Sequence, residues 1–331
     1  MRKTAFFCNA PATLDAVYAQ GRRAKVAAIS ELVPDVITEQ NFAKHAAALH
    51  AVEAVFSTWG MPKLSPTQLE CLPSLKAVFY AAGSVKDFAP ALLDRGIIVV
   101  SAWGANAIPV AEFSLAQILL SMKGYFASVR ACARPDTHRQ AVPGKGNFGE
   151  TVALLGAGQI GRALIGLLRP FALQVIVWDP FLTTAQAAEL GVEKVATLEE
   201  AFRRGLVVSN HLANVPATRG LLRAQHFADL RHGATFINTG RGATVVEADL
   251  AAVLQQRPDL TALLDVTEPE PPLPESPFYT LPNVHLSAHL AGSAGDEVVR
   301  LADYAIAEFL AWDRGEPLRW AVTPEMLGTM A

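Results

Sequence analysis

The sequence predicts an α/β protein with two domains, each built on a doubly wound parallel sheet. Short apolar runs alternate with helical patterns along most of the chain, as they do in parallel sheets covered by helices. A glycine-rich turn between a strand pattern and a helix pattern begins at Gly156, in the middle of the chain. Another α/β domain must therefore precede this turn, and the length of 331 residues also favours two domains.

The composition indicates a compact cytoplasmic protein. Hydrophobic residues make up 51% of the chain and charged residues 18%, which is typical of a folded protein. The net charge of −3 supplies no basic field for nucleic acid or for an anionic membrane. The apolar start of the chain breaks at Pro11, short of a signal peptide, and no uninterrupted apolar run reaches the length of a membrane span. We therefore expect neither a nucleic-acid partner nor a membrane partner.

The three cysteines, Cys8, Cys71 and Cys132, are an odd set with wide spacing. This pattern forms neither a disulfide framework nor a metal-binding motif, and free thiols suit a reducing cytoplasm. We expect no metal site.

Residues 1–104 are predicted to form a smaller α/β unit. Its predicted strands are Thr4–Cys8, Val52–Phe56, Leu75–Tyr80 and Gly96–Val100, and its helices include Pro11–Gln20 and Asn41–His50. Loops of small residues follow two of these strands, at Ser57–Gly60 and Ala81–Ser84. Ligands in such sheets bind beyond the carboxyl ends of the strands, so both loops are candidate walls of a substrate site. The alternative is that both are ordinary turns.

A long apolar segment links this unit to the glycine-rich turn. Pro109 suits the first turn of a helix, and the apolar pattern predicts that this helix runs to about Ala133. Such a helix must be buried on several sides, so it joins two domains, forms a subunit interface, or does both. The polar segment Arg134–Gly149 is predicted to be a surface excursion.

The glycine-rich turn predicts a dinucleotide site. Strand pattern Thr151–Leu155 runs directly into Gly156-Ala-Gly-Gln-Ile-Gly161, and helix formers follow. A second apolar run, Leu173–Trp178, ends at Asp179, where such a unit presents a carboxylate to a ribose diol. The carboxylate would repel a 2′-phosphate, and no arginine follows it, so we expect NAD. The alternative is a glycine-rich turn in some other α/β protein.

Three successive strand ends carry the groups that a hydride-transfer enzyme needs. They are Arg241, the acidic group Asp265, Glu268 and Glu270, and His289. An arginine can bind a substrate carboxylate, a histidine can pass a proton, and a carboxylate beside the imidazole raises its pKa. Each group also has an alternative interpretation. In these alternatives Arg241 only caps a strand, the acids belong to a solvated linker, and His285 competes with His289 although it lies inside the strand pattern.

These motifs resemble those of the D-isomer-specific 2-hydroxyacid dehydrogenases. The resemblance rests on the glycine turn with Asp179, on Asn238-Thr-Gly-Arg-Gly242, on Asp265-Val-Thr-Glu-Pro-Glu-Pro271 and on Ala288-His-Leu-Ala-Gly292, and it covers roughly residues 75–320. It implies catalytic roles for Arg241 as substrate anchor and for His289 as acid/base. It also implies that Glu270, rather than Glu268, is the partner of the histidine.

The resemblance implies further contacts for the cofactor and the substrate. Asp265 would hold the nicotinamide carboxamide, and the backbone N–H groups of Ala82, Gly83 and Ser84 would bind the substrate carboxylate together with Arg241. The implied cofactor-binding residues are Gly156, Gly158, Gln159, Ile160, Gly161, Asp179, His211, Pro216, Thr239, Gly240 and Asp265.

Several positions depart from the family pattern. They are Ala288 in place of proline, Val246 in place of aspartate, Asn210–Ala213 without its proline, and the loop Ala82–Asp87. The last departure leaves the substrate open. Three aromatic residues, Trp59, Tyr80 and Trp103, would line an aromatic-tolerant pocket unless they are ordinary packing.

Taken together, the residues and the resemblance predict a homodimeric NAD-dependent D-2-hydroxyacid dehydrogenase with two Rossmann-like domains. A Rossmann NAD-binding domain, residues 105–292, is expected to be inserted into a flavodoxin-like substrate-binding domain made of residues 1–104 and 293–331. A 2-oxo or 2-hydroxy acid would meet the nicotinamide in the cleft between them. The alternatives are a non-catalytic NAD-sensing or corepressor-like protein on the same fold and an enzyme that oxidises a non-carbon substrate.

Overall fold

The computed structural model describes residues 1–328 of the chain. They form two compact units, one from Met1–Asn106 with the chain from Ser293 onward, the other from Ala107–Gly292. The chain thus leaves the first unit once and returns to it once. The first of these points lies two residues after the boundary expected from the sequence.

Both units alternate strands with helices. The strands are β1 (Lys3–Phe7), β2 (Glu31–Ile37), β3 (Ala54–Ser57), β4 (Ala77–Tyr80), β5 (Ile98–Ser101), β6 (Phe148–Leu155), β7 (Ala172–Trp178), β8 (Glu193–Lys194), β9 (Val207–Asn210), β10 (Thr235–Asn238), β11 (Thr261–Leu264) and β12 (Val284–Leu286). The helices are α1 (Pro11–Val17), α2 (Arg22–Ile29), α3 (Phe42–Leu49), α4 (Pro66–Glu70), α5 (Ala89–Leu93), α6 (Trp103–Met122), α7 (Tyr125–Cys132), α8 (Gln159–Leu168), α9 (Thr184–Leu190), α10 (Leu198–Arg204), α11 (Ala224–Ala228), α12 (Glu247–Gln256), α13 (Val299–Asp313) and α14 (Pro324–Leu327). Short 3-10 helices occupy His138–Gln140, Gly242–Thr244, Pro277–Tyr279 and Gly295–Val298.

The first unit has a five-stranded parallel sheet in the order β2-β1-β3-β4-β5. This is the flavodoxin-like order. Helices α1, α2 and α13 pack their apolar side chains on one face, and α3, α4 and α5 cover the other. The strands β3 and β4 are buried along their whole length, which explains why they are continuous apolar runs in the sequence.

The second unit has a seven-stranded parallel sheet in the order β12-β11-β10-β9-β6-β7-β8. Numbered from β6, this is the 3-2-1-4-5-6 order of dinucleotide-binding domains with one further strand at the β12 edge. Helices α6, α8 and α9 contribute to the core on one face, and α10, α11 and α12 to the core on the other. The predicted fold class of two doubly wound parallel sheets is confirmed.

The long helix predicted from Pro109 to Ala133 is wrong in two respects. The helix α6 begins at Trp103, so Pro109 lies inside it rather than in its first turn. The helical run also breaks after Met122, because Gly124 has φ 69° and starts the separate helix α7. The backbone of Gly144 packs where a side chain at Gly124 would project, since a Cβ there would lie 2.6 Å from the Gly144 nitrogen. The polar excursion therefore packs onto the break, a long-range contact that the apolar pattern does not show.

Helix α6 is the one helix in the described chain that is long and apolar enough to cross a membrane, judged by length and composition. In this protein 44% of its most apolar window is buried among other residues. Core helices of globular proteins share this length and composition, so the feature is weak evidence for a membrane span.

Candidate functional site

The predicted site residues of the second unit lie along one edge of its sheet. Because β6, β9, β10, β11 and β12 are parallel, the loops at their carboxyl ends all leave the same edge. The loop after each of these strands carries one or more predicted residues. In strand order along the chain these are Gly156, His211, Arg241, the Asp265–Glu270 group and His289.

The three glycines of the turn after β6 have three different geometries. Gly156 has φ 98°, which favours glycine, and it makes the tight turn out of the strand. A Cβ on Gly161 would overlap the carbonyl oxygen of Gly156, so the helix packs directly against the turn. Gly158, the N-cap of α8, has an ordinary φ of −71° and open space around its Cβ position.

This turn fits the pyrophosphate of NAD. The open space at Gly158 lies where the backbone N–H groups at the start of α8, including those of Gln159 and Ile160, have no helical acceptor. Such a helix start binds anions through these N–H groups and through the positive end of the helix dipole. These residues are therefore suited to bind a pyrophosphate, and their individual cofactor roles stay predictions.

The carboxylate of Asp179 lies against the glycine turn. One oxygen accepts a hydrogen bond from the Ala157 N–H at 2.6 Å, and the other accepts from the N–H groups of Phe181 at 2.7 Å and Leu182 at 3.2 Å. The acid thus ties the end of β7 to the turn after β6. This places a carboxylate beside the glycine turn, and its contact with a ribose stays a prediction.

His211 belongs to a chain of polar side chains. Its ring nitrogens lie 2.9 Å from Ser209 Oγ and 3.2 Å from Thr239 Oγ1, and Thr239 is 3.3 Å from Ser114 Oγ. Burial lowers the pKa of His211 to about 4, so the imidazole is neutral at physiological pH. Among the other implied cofactor contacts, Gly240 lies in the same loop as Thr239, and Pro216 lies in the exposed turn after β9.

The guanidinium of Arg241 has no carboxylate partner among the residues that the structure describes. Its Nη1 donates a hydrogen bond to the Gly240 carbonyl at 2.7 Å. Burial lowers the pKa of Arg241, and the negative charge of Glu270 opposes this shift. A partly buried cation without an ion pair is costly, so a bound anion would stabilise it. Arg241 is therefore suited to hold a carboxylate.

The structure pairs His289 with Glu270. The Nδ1 atom of His289 lies 2.7 Å from Glu270 Oε1, and both side chains are partly exposed to solvent. Glu268, the other candidate acid, instead contacts Arg219 at 3.3 Å. The sequence pattern alone leaves these two acids open, and the geometry agrees with the choice implied by the resemblance.

The carboxylate of Asp265 is buried under the loop that carries His289. It accepts hydrogen bonds from Ser287 Oγ at 2.6 Å, from Leu290 N at 2.9 Å and from Ala291 N at 2.9 Å. The main-chain oxygen of Asp265 accepts from the His289 N–H at 2.9 Å. The observed contacts of this acid therefore position the histidine loop, and its implied contact with a carboxamide stays a prediction.

In the first unit, the loop Ala82–Ser84 follows β4 as predicted. Ser101 Oγ donates to the Ala82 carbonyl at 2.9 Å, while no acceptor among the described residues meets the N–H groups of Ala82, Gly83 or Ser84. Of the three aromatic residues, Tyr80 is buried against Phe88 with ring centroids 4.9 Å apart, and Trp103 packs on Trp320 at 5.6 Å. These two rings are core packing, whereas Trp59 is 37% exposed.

Sequence reasoning missed several polar residues that hold this edge together. They are Ser114, Asn210, Asn238, Thr244 and Ser287, and each makes a side-chain hydrogen bond to a predicted site residue or to its neighbours. For Asn210, Asn238 and Ser287 the signal available in the sequence was a polar residue at the end of an apolar strand, whereas Ser114 in α6 and Thr244 in a 3-10 helix carry no such signal. Within residues 1–328 no group of three or more His, Cys, Asp or Glu side chains is placed to hold a metal ion.

Comparison with known proteins assigns this arrangement to a family. Residues 115–291 match the model of the D-isomer specific 2-hydroxyacid dehydrogenase, NAD binding domain. The D-3-phosphoglycerate dehydrogenase of Bacillus subtilis is 29% identical over 287 residues, which cover 86% of this chain and 54% of that protein. The chain spans about half the length of the curated D-3-phosphoglycerate dehydrogenases that it matches.

Solved structures share the fold over the whole chain. A phosphoglycerate oxidoreductase from Rhizobium etli superimposes with a TM-score of 0.81 and 24% identity, covering 99% of this chain and 100% of that one. The apo D-mandelate dehydrogenase of Rhodotorula graminis gives a TM-score of 0.80 with 22% identity, covering 98% of both chains. The family and the NAD cofactor predicted from the sequence are confirmed. The chain belongs to the D-isomer-specific 2-hydroxyacid dehydrogenase family, and its second unit is the NAD-binding domain of that family.

Proposed function

We propose that this protein is an NAD-dependent D-2-hydroxyacid dehydrogenase that interconverts a 2-hydroxy acid and its 2-oxo acid. The observation that carries the proposal is the pairing of His289 with Glu270 at 2.7 Å, on the sheet edge that also carries Arg241 without an ion-pair partner among the described residues. Besides a hydride donor, the reduction of a 2-oxo acid requires a group that passes the proton and a group that binds the carboxylate. The family membership supports the same chemistry.

In this proposal each residue has one task. Arg241 binds the substrate carboxylate and polarises the carbonyl oxygen through its N–H groups. Glu270 holds the Nδ1 side of His289, which orients the ring. His289 gives its Nε2 proton to the carbonyl oxygen during reduction and takes it back during oxidation. When bound, the nicotinamide supplies or accepts the hydride at C2 of the substrate.

The cofactor would be held by the turn after β6. The N–H groups at the start of α8 would bind the pyrophosphate beside Gly158, and Asp179 would accept from the ribose hydroxyls. A 2′-phosphate in the same place would face the Asp179 carboxylate, so NAD is favoured over NADP. The implied contacts at His211, Pro216, Thr239, Gly240 and Asp265, and those of Ala82, Gly83 and Ser84 with the substrate, remain part of the proposal.

The relative from Bacillus subtilis is named for phosphoglycerate, and the solved structure from Rhodotorula graminis is named for mandelate. These names do not point to one substrate. We therefore propose the class, a small 2-oxo or 2-hydroxy acid. The free thiols Cys8, Cys71 and Cys132 support a cytoplasmic location. We also propose a homodimer, because several apolar side chains of the second unit are exposed.

The test is oxidation of NADH, and separately of NADPH, by the purified protein with a panel of 2-oxo acids. We expect turnover of at least one acid, faster with NADH. NADH binding without turnover of any acid would favour the NAD-sensing alternative. Turnover restricted to a substrate of another kind would favour a different chemistry, and equal or better rates with NADPH would contradict the role of Asp179.

A further inference from the structure

Two asparagines end neighbouring strands beneath Arg241. Asn210 is the last residue of β9 and Asn238 the last of β10, and the two are paired in register. Both are buried, with 0% and 1% exposure. Burying a side-chain amide costs folding free energy unless its polar atoms are hydrogen-bonded, so both asparagines need hydrogen-bond partners inside the protein.

All the polar atoms of Asn210 have partners. Its Nδ2 donates to Asn238 Oδ1 at 3.0 Å and to Thr244 Oγ1 at 2.9 Å, and its Oδ1 accepts from the Leu212 N–H at 3.2 Å. Thr244 is also buried, with 0% exposure. The side chain of Asn210 is therefore the centre of a network that joins the loops after β9 and β10.

The network ends on the backbone around Arg241. The main-chain oxygen of Arg241 accepts from Thr244 Oγ1 at 2.8 Å and from Asn238 Nδ2 at 3.4 Å. Asn238 Oδ1 also accepts from the Gly240 N–H at 3.1 Å, and the carbonyl of that same Gly240 receives the Arg241 guanidinium. Both the backbone of Arg241 and the carbonyl that orients its guanidinium are thus fixed by these side chains.

We propose that Asn210 is a positioning residue that sets Arg241, through Asn238 and Thr244, for binding of the substrate carboxylate. The inference rests on the proposed function, because it assumes that Arg241 binds a carboxylate. Removing Asn210 leaves the Leu212 N–H without its acceptor and takes away the hydrogen bonds that Thr244 Oγ1 and Asn238 Oδ1 accept from Nδ2. The Arg241 loop would then relax, and carboxylate binding would weaken.

The test combines three substitutions. Asn210→Leu removes the central amide of the network at similar side-chain volume. Thr244→Val removes only the Thr244 hydroxyl, and Thr244→Ser keeps that hydroxyl. The matched control is Asn283→Leu, because Asn283 is an equally buried asparagine whose Nδ2 donates to Leu254 O and Arg257 O at the opposite edge of the sheet. Unfolding curves of all four proteins check that each variant is folded.

The first readout is the dissociation constant of oxamate, an unreactive 2-oxo acid analogue, from the NADH-bound protein by calorimetry. The second is KM for the best 2-oxo acid. We expect Asn210→Leu and Thr244→Val to raise both about tenfold. We expect the NADH dissociation constant to stay within about twofold. Thr244→Ser should bind oxamate as the wild type does, and Asn283→Leu should leave oxamate binding unchanged.

A double-mutant cycle with Arg241→Gln separates positioning from general destabilisation. If Asn210 acts through Arg241, Asn210→Leu adds less than about twofold to the oxamate dissociation constant in the Arg241→Gln background. An undiminished effect in that background, or wild-type oxamate binding by Asn210→Leu, overturns the inference. Because oxamate binding needs no turnover, a protein that reduces no 2-oxo acid would refute the proposed function alone, whereas a wild type that binds no oxamate would refute both.

Discussion

His289 is held in a backbone conformation that non-glycine residues rarely adopt, with φ 51°. Such a conformation persists only where the surrounding structure over-determines it. Here the buried Asp265 supplies that constraint, since its carboxylate binds three groups of the loop and its carbonyl receives the His289 N–H. The imidazole is therefore presented on a rigid loop, with Glu270 on one side of the ring.

This geometry predicts the effect of removing the imidazole. His289→Ala should lower kcat for 2-oxo acid reduction about a hundredfold to ten-thousandfold, because a positioned acid–base group contributes on that order. The NADH dissociation constant should change little. The matched control is His285→Ala in β12, whose ring packs on Phe126 and which we expect to keep a near-normal kcat. Near-normal turnover by His289→Ala would exclude this residue as the proton donor.

His211 predicts a pH dependence of stability. Burial depresses its pKa from 6.5 to about 4, so in this range the unfolded state binds the proton more readily than the folded state. The free energy of unfolding is therefore highest above pH 6.5, falls as the pH drops from 6.5 towards 4, and has lost the whole contribution of this ring below pH 4. Between about pH 7 and about pH 5 this corresponds to about 2 kcal/mol.

Urea unfolding at both pH values checks this prediction. His211→Asn keeps an amide near Thr239 but has no titrating group, so the free energy of unfolding should fall by about 2 kcal/mol less in the variant than in the wild type. Equal losses in the two proteins would show that another group causes the acid sensitivity.

At the scale of the element, the sequence predicted the strands that form apolar runs and missed the edge strands β2 and β8. β2 contains Pro34 and has an irregular register, with Thr4 opposite Leu32 but Phe6 opposite Val36. Proline is tolerated at such an edge, but in a sequence it argues against a strand. The apolar pattern of a sequence indicates which residues are buried, and these edge strands have fewer buried residues than the central strands.

The same limit applies to the candidate site. The ends of the strands could be located from the sequence, and with them Arg241 and His289. The choice between Glu268 and Glu270 depends on how a turn with two prolines directs its side chains, which spacing alone does not determine. The Asn210 network depends on the register between β9 and β10, so it becomes visible only when the two strands are paired.

The glycine turn predicts that folding and cofactor binding can be separated. Gly158→Ala meets no atom of the protein within 4 Å, so its free energy of unfolding should stay within about 0.5 kcal/mol of the wild type. Its methyl group would occupy the space proposed for the pyrophosphate, so the NADH dissociation constant should rise at least about tenfold. Fluorescence titration with NADH measures this, and unchanged binding would place the pyrophosphate elsewhere.

Two further glycines of α8 provide controls. Gly161→Ala would place a Cβ against the Gly156 carbonyl oxygen, so we expect the free energy of unfolding to fall by about 1–3 kcal/mol. We expect NADH binding to weaken as well. Gly166 is exposed in the same helix with open space around it, and Gly166→Ala should stabilise the protein by about 0.5–1 kcal/mol without affecting NADH. A stable Gly161→Ala variant would contradict the close approach seen here.

At the scale of the whole molecule, the second unit is inserted into the chain of the first. The chain enters the second unit at Ala107 and leaves it at Gly292. The residues of the first unit on either side of this insertion, Asn106 and Ser293, are joined by a hydrogen bond from Ser293 N to Asn106 Oδ1 at 3.0 Å. The glycine turn in mid-chain predicted a preceding domain. The return of residues 293–331 to the first domain was implied by the resemblance and not by the turn, and helix α13 packs on the first sheet, where Leu301 and Phe309 are buried.

The second unit exposes several apolar side chains over α7 and the start of β6. Tyr125 is 48% exposed, Val129 49%, Val142 72% and Phe148 83%. Single exposed apolar residues are common on any protein, but a set within one segment is typical of a surface that is covered by a partner. We predict that this segment pairs with its copy in a second chain, as expected for the homodimer.

Sedimentation velocity tests this assembly. We expect the wild type to sediment with the mass of two chains, and Val129→Asp to raise the dimer dissociation constant at least about tenfold, because a charge would be desolvated in an apolar contact. Leu273→Asp is the matched control, since Leu273 is 53% exposed but lies outside the segment. Because Val129 is half exposed in the single chain, Val129→Asp should fold normally, and its unfolding curve verifies this. A Val129→Asp protein that remains as dimeric as Leu273→Asp would show that α7 is not at the interface, and a monomeric wild type would refute the homodimer itself.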